Sequence, residues 1–323
     1  TIPAGQPIHI GTLLVITTAD ADLGKDSQAG AVVAANLKGQ VKGHSIQFNH
    51  QDDLCSSEGG TAGARALVSD PQIVAIIGTS CSGAGVPASQ IASEAKVLMV
   101  SPSNTAPSLT HPDTHQAFYA RTAHNDEVQG EAMARFARDV LQVSSAATVH
   151  DGSPYSQQLQ QVFRDKFEEF GGTLVGEAQA VAPTDTDFRP VLTTIAEGNP
   201  ELIYYPIFTA GGALLTQQAR ENTDLEGVHL AGADGMQSPT FLTAAGEAAL
   251  GLYASGPDLN FAGDFYSATF LPEYAKVSGS ATPLSVSWST SQGAKPCRRR
   301  SRRAGVLSAS TERPRISPGC RLQ

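Results

Sequence analysis

Two β-branched, apolar runs, Val74–Ile77 and Val97–Val100, each break off into a loop dense in hydroxyls and glycine. The first continues as GTSCSGAGVPAS and the second as SPSNTAPSLT, with a helix-like segment between them. That pattern is how an α/β chain brings polar groups to the carboxyl ends of neighbouring parallel strands, where such sheets bind small ligands. The loops carry Ser82 and Thr105, twenty-three residues apart, with Ser101, Ser103 and the backbone amides beside them. Hydroxyls and amides are donors, so together they can cradle a carboxylate without a cation.

The same alternation runs along most of the chain. Strands are predicted at Ile8–Ile16, Ser45–Phe48, Ile73–Ile77, Val97–Val100, Ala146–Val149, Thr173–Val181, Leu202–Ile207 and Val228–Ala231. Helices are predicted between them, among others at Ala29–Leu37, Gly60–Val68, Pro87–Ala95, Asp126–Leu141 and Ser156–Phe170. Strands alternating with helices define the α/β class, with parallel sheets covered on both faces. The rhythm breaks near Arg121–His124 and again near Ala254–Asp258, which predicts two lobes with chain crossovers between them. One lobe would comprise residues 1–123 with 254–284, the other 124–253.

From Ser285 the composition changes to Arg, Ser, Pro and Gly without apolar periodicity, which predicts a disordered basic tail over 285–323. One hypothesis for this tail is a reading-frame slip in a GC-rich gene. Peptide mass mapping with resequencing tests it, and an intact frame with a detected native tail would count against it. Nine basic residues and one acidic residue follow Leu284, so the tail carries +8 and the body before it −17. So acidic a body repels nucleic acid and anionic membrane surfaces, and no nucleic-acid partner is expected. No run of eighteen apolar residues occurs. The amino terminus, TIPAGQPIHIGTLLVI, lacks the basic and apolar regions of a signal peptide, which reads as a cytoplasmic protein or a mature exported form.

Cys55 and Cys81 each follow a strand-like run, so both can sit at the same end of adjacent strands. A disulfide and a pair of buried free thiols are both compatible with that position. Other chemistry is poorly supported. Gly83-Ala-Gly85-Val-Pro-Ala88 has the outline of a dinucleotide fingerprint, but Pro87 sits inside it and no acid lies about twenty residues on at a strand end. Gly78-Thr-Ser80-Cys-Ser82 ends in Ser where a nucleophile elbow needs Gly. His150 and Asp151 are sequence neighbours on a strand, so they point to opposite faces. The histidines show no metal-ligand spacing, and neither a metal nor a cofactor is expected.

The blocks QDDLC, IIGTSCSGAGVPAS, VLMVSPSNTAPSLT, HDGSPYSQQL, LIYYPIF and AGADG, spread from about Ile8 to Lys276, resemble the type I periplasmic binding proteins of ABC importers. The likeness is strongest to those for leucine, isoleucine and valine. The resemblance implies two Rossmann-like lobes with a ligand cleft between them, closed by a hinge. It implies a disulfide between Cys55 and Cys81, since the family joins the cysteine after its Asp-Asp pair to the one before the ligand serine. Ser82 and Thr105 then hold the carboxylate of an α-amino acid and help to hold its ammonium, with Ser103 adding backbone groups. Across the cleft, Tyr155 supplies an aromatic hydroxyl, and Asp234 stands where leucine, isoleucine and valine binders carry a glutamate that pairs with the ammonium. Leu23 and Phe208 occupy positions where relatives have an aromatic residue and a tyrosine, which predicts a more apolar side-chain pocket.

The family's role further implies a monomer outside the cytoplasmic membrane, free or lipid-anchored. It would deliver its ligand to an ABC permease and catalyse no reaction. The tail departs from the family, which would supply a helix, further strands and a third crossover there. The alternatives are a binder of an amide, urea or aromatic acid, or a cytoplasmic ligand sensor on the same fold. A nicotinamide enzyme is a distant third.

Overall fold

A computed structural model describes residues 2–257, 263–281 and 283–284, together with the backbone of 320–322. The first sheet contains β1 (Ile8–Leu13), β2 (Ile46–Gln51), β3 (Ile73–Gly78), β4 (Leu98–Ser101) and β5 (Tyr119–Arg121). Their order is β2-β1-β3-β4-β5, every pair parallel, with Ile10 opposite both Phe48 and Ala75. The connections are α1 (Ala21–Lys38), α2 (Ser57–Ser69) and α3 (Ser82–Glu94). Because the order reverses at β1, right-handed crossovers send α1 to one face and α2 and α3 to the other. Leu13, Ile76 and Met99 pack under Leu67 of α2 and Ala88 and Ala92 of α3. On the opposite side Ala29 and Val33 of α1 meet Phe270 and Tyr274, at the edge of the helix Leu271–Ser278. The carboxyl ends of β1 and β3 flank the reversal, the place where open α/β sheets form a crevice.

The second sheet holds β6 (Ser145–His150), β7 (Thr173–Leu174), β8 (Gln179–Ala180), β9 (Leu202–Tyr204), β10 (His229–Gly232) and β11 (Tyr253–Pro257). They run in the order β11-β10-β9-β6-β7, with β8 also on β6. Around it lie α4 (Asp126–Arg135), α5 (Pro154–Glu169), α6 (Arg189–Glu197), α7 (Thr209–Glu221) and α8 (Pro239–Ala245). One face is filled by Phe188, Leu192, Ile203 and Leu215, the other by Phe163, Phe167, Leu202 and Tyr204. The α/β class with two parallel sheets therefore holds, and the differences are local.

Helix α1 starts at Ala21 rather than Ala29, so Leu23 lies in its first turn and not in a loop. Its polar opening, ADLGKDSQ, hides the helix because it presents no apolar stripe. Gly24 allows it, since a Cβ there would stand 1.7 Å from the Val15 carbonyl oxygen. The predicted strand Thr173–Val181 divides into β7 and β8 around Gly176, whose φ of +68° breaks the extended run. Strand β11 pairs with β10, so the chain leaves the second sheet only beyond Pro257 and not at Ala254. Gly256 and Pro257, both turn formers, leave this strand without a sequence signal of its own. The predictions for the tail fall outside the described residues, with one exception. Cys320–Leu322 is not disordered but pairs antiparallel with β11, Arg321 opposite Gly256. An edge strand offers the unpaired backbone groups that such a segment needs.

Cys55, in the turn after β2, is bonded to Cys81 at the N-cap of α3, their Cα atoms 5.0 Å apart. Beneath the bond, buried Asp53 accepts from the Ser80 amide at 2.7 Å and the Cys55 amide at 2.8 Å. The strap thus fixes the turn before Ser82 to the end of β2. Replacing both cysteines by serine opens a loop of 26 residues' separation. In the chain-entropy model the expected cost is roughly 3.5 kcal/mol, a fall in melting temperature of about 5–10 °C. Calorimetry of the double variant against oxidised protein checks it.

Candidate functional site

The first half of the site is made of backbone donors. Ser82 opens α3, and its Oγ accepts from the amides of Thr105 at 3.3 Å and Ala106 at 3.2 Å. Both Ser82 and Thr105 are buried, at 1% and 2% exposure, so no water competes for these groups from bulk. The loop after β4 is shaped by Ser101, which donates to the Thr79 carbonyl at 2.9 Å and accepts from Asn104 N–H at 2.8 Å. The Ser103 amide is likewise engaged within the loop, donating to Ser101 Oγ at 3.2 Å. Gly85 lets α3 lie against this loop, since a Cβ there would meet Asn104 Oδ1 at 2.4 Å.

The second half is acidic. Asp234 follows β10, and its Oδ1 accepts from the Tyr155 hydroxyl at 2.7 Å and from Gln129 Nε2 at 2.9 Å. Tyr155 sits in the first turn of α5, behind the N-cap Ser153, and its hydroxyl also accepts from the Gly235 amide at 3.1 Å. Asp126, which the sequence reading missed, opens α4 and is fully buried. Among the described residues neither of its carboxylate oxygens has a hydrogen-bond partner, nor does Thr105 Oγ1. Burial, and then the charge of Asp234, push the Asp126 carboxyl well above the ordinary carboxylate range; the nearby Thr105 hydroxyl, outside hydrogen-bond geometry, and Arg121 pull against them. Gln129 was missed as well. After Asn125, an acid in the first turn of α4 reads as an ordinary helix start, and only its burial beside a second acid marks it.

Thr105 joins the halves. Its N–H donates to Ser82 Oγ, while its carbonyl accepts from the Asp126 amide at 3.0 Å. Thr105 thus joins the donor array to the start of α4, whose Gln129 holds Asp234.

A cavity of about 710 Å³ opens between the lobes, lined by Asp20 and Gly83 on one side and Pro154, Phe188, Ile207 and Phe208 on the other. Phe208 also packs on Tyr155, ring centroids 5.0 Å apart, and so links the cavity to the acidic half. Leu23 is half-buried in α1 and is not part of this lining. The lobes are in contact around the cleft. Asp20 Oδ1 accepts from the Thr209 amide, the first of α7, at 3.1 Å. Thr240 Oγ1 donates to Asp22 at 2.5 Å, and Ser108 and Gln158 exchange two hydrogen bonds of 2.9 Å. Burial raises the Asp20 carboxyl, and the Thr209 contact partly offsets it. Among the described residues no group of His, Cys, Asp or Glu could hold a metal, and no helix is long and apolar enough to cross a membrane.

Two parallel-sheet lobes that meet over a buried donor array and a pair of acids define a two-lobed α/β binding protein. The chain belongs to the periplasmic binding protein family, whose family model matches residues 7–294. It is 30% identical over 217 residues to Leu/Ile/Val-binding protein homolog 3 of Brucella melitensis, covering 66% of this chain and 58% of that protein. The chain therefore spans less than two thirds of that relative's length. Among solved structures it is similar to the leucine binding protein LivK of Thermotoga maritima, with a TM-score of 0.80, 26% identity and coverage of 89% of this chain and 80% of that one. A solute binding protein of an ABC transporter from Rhodopseudomonas palustris, solved in complex with benzoate, shares the fold with a TM-score of 0.76 and 21% identity, over 89% and 78%.

A carboxyl whose pKa is raised by burial opposes folding once the unfolded chain would ionise it. Stability therefore falls as pH rises from about 4, the unfolded value, through the raised folded value. Asp126 has this sign, and Asp53, pushed up to about 7 by burial, has it too. Asp126→Asn is expected to raise the melting temperature of ligand-free protein at about pH 8 and to shrink its fall between about pH 5 and pH 8. Thermal unfolding across that range checks it, and an unchanged slope would remove Asp126 from the site's electrostatics.

Proposed function

We propose that this chain is the solute-binding protein of an ABC importer and captures a branched-chain or similar aliphatic L-amino acid between its lobes. The observation that carries the reading is the meeting of opposite chemistries around Thr105, amide donors on one side and on the other α4, which begins at Asp126 and holds Asp234 through Gln129. That pair of ends suits a zwitterion. Ser82 and the Thr105 and Ala106 amides receive the carboxylate, while Asp234, Asp126 and the Thr105 hydroxyl receive the ammonium. Tyr155 and Gln129 hold Asp234 in place. An ammonium also supplies the cation that the buried acids need, which is the strongest reason to prefer an amino acid over an acid without an amine. Phe208, Phe188 and Ile207 offer the apolar wall for an aliphatic side chain.

In the cycle we propose, ligand enters an open cleft and closure forms the contacts of Asp20, Asp22 and Ser108 across it. Docking to the permease then reopens it. The protein acts as a monomer outside the cytoplasmic membrane and catalyses no reaction; the Cys55–Cys81 bond supports an oxidising compartment. The family relationship and the leucine-binding neighbour are consistent with this ligand class.

The test is the melting temperature of oxidised protein against leucine, isoleucine, valine, acetamide, urea and benzoate. At one hundred times its dissociation constant a true ligand adds about 2.7 kcal/mol, a shift of several degrees. A shift with the aliphatic amino acids alone is expected. A shift with benzoate or an amide instead would keep the binding protein and replace its ligand. Asp234→Asn is expected to weaken amino-acid binding at least about tenfold through loss of the charge-assisted bond; calorimetric titration giving unchanged affinity would refute that role.

A further inference from the structure

Arg121 closes β5 and stands behind the loop that carries Thr105, away from the Ser82 side. Its Nη1 donates to the Asn104 carbonyl at 3.2 Å and to the Ala106 carbonyl at 2.9 Å, and its Nη2 donates to Thr110 Oγ1 at 2.5 Å. One guanidinium nitrogen thus uses its two hydrogens on the carbonyls that flank Thr105. The geometry has a direct consequence. The Asn104 carbonyl and the Thr105 N–H belong to one planar trans unit, so they point in opposite directions. Holding the carbonyl at the back aims the N–H at the front, where it meets Ser82 Oγ at 3.3 Å. The next unit is clamped in the same way: the Thr105 carbonyl takes the Asp126 amide at 3.0 Å, and the Ala106 N–H faces Ser82 Oγ at 3.2 Å.

A charged donor on a peptide oxygen also polarises the N–H of the same unit, because linked hydrogen bonds strengthen one another in a low-dielectric interior. The site needs such help. Asp234 accepts from Gln129 of α4, the helix whose first amide meets the Thr105 carbonyl. An acid on that side opposes entry of a carboxylate, and the Arg121 charge acts against it.

We propose that Arg121 is a positioning residue for anion recognition. By gripping the Asn104 and Ala106 carbonyls it orients and polarises the Thr105 N–H, and the preference of the site for a carboxylate over the matching carboxamide depends on it. This rests on the binding reading above. The specificity it sets is that of the ligand's anionic end, and it acts without touching the ligand.

The experiment compares wild type with Arg121→Gln and Arg121→Lys by calorimetric titration of leucine and leucinamide, and by the amide resonance of Thr105 in nitrogen–proton spectra. Arg121→Gln is expected to lose about tenfold in leucine affinity while leucinamide changes by less than about twofold, the difference of a charge-assisted contact. Arg121→Lys, which keeps the cation and can still donate, is expected to recover most of the loss. The Thr105 nitrogen resonance is expected to shift in Arg121→Gln, since it reports on the hydrogen bond to the Asn104 carbonyl of the same unit. Equal weakening of leucine and leucinamide would mean general loosening of the loop and would overturn the proposal, as would an unmoved Thr105 resonance. If Arg121→Gln does not fold, the selectivity and resonance of Arg121→Lys carry the decision. Wild type that binds benzoate and benzamide but neither leucine compound would sink the amino-acid reading alone. The benzoate-to-benzamide ratio and the resonance would then judge Arg121.

Discussion

The orientation of two consecutive peptide units, Asn104–Thr105 and Thr105–Ala106, is the constraint on which the cleft depends. Each is held at its oxygen, by Arg121 and by the Asp126 amide, and each presents its N–H to Ser82. Backbone amides are rigid donors that lose no rotamer freedom on binding, so a site made of them is preorganised once the loop is fixed. The rest of the first lobe serves that fixation. Asn104 is pinned to Thr79 and Tyr119, and Ser101 closes the turn from beneath.

On the other wall of the loop, Ser82 is located by a different device. Asp53 and the Cys55–Cys81 bond tie the end of β2 to the turn before α3, and Ser80 Oγ accepts from the Val15 amide at 3.0 Å. Three strand ends, those of β1, β2 and β3, are thereby locked together at the carboxyl edge of the sheet. Asp53 is buried at the cost of an elevated pKa, which is tolerable because amides satisfy both its oxygens. The Asp-Asp pair is therefore structural in this protein: Asp52 caps the amides of Ile16 and Leu54, and Asp53 those of Ser80 and Cys55.

The second lobe supplies charge rather than backbone. Asp234 is hydrogen-bonded from within by Tyr155 and Gln129, yet Asp126 keeps two oxygens without a hydrogen-bond partner among the described residues. Such a group is unstable in isolation and favours whatever brings a cation to it. Closure has the same logic. Asp20 of the first lobe receives the first amide of α7 in the second, so a helix terminus finds its acceptor only when the lobes meet.

The sequence by itself determined the alternation of strands and helices, and with it the parallel sheets and the loops at their carboxyl ends. Period and composition are local properties, and they survive without tertiary information. The QDDLC and TSCSG blocks likewise carried the cysteine pairing by resemblance, and the pairing of Ser82 with Thr105 was visible as two hydroxyl-rich loops on adjacent strands. What escaped were features defined by burial and by distance across the fold. Asp126 and Gln129 look like an ordinary helix start until the second lobe folds α4 against Asp234, more than a hundred residues away. The first turns of α1 were hidden by polar residues whose faces meet the second lobe instead of a core. By sequence Leu23 therefore reads as a loop residue, and β11 as a crossover, because Gly and Pro mask a strand whose partner, β10, alone defines it. Local chemistry decides which elements form, but only tertiary packing, within each lobe and between the two, decides which of their polar groups lose water, and so which of them can recognise a charge.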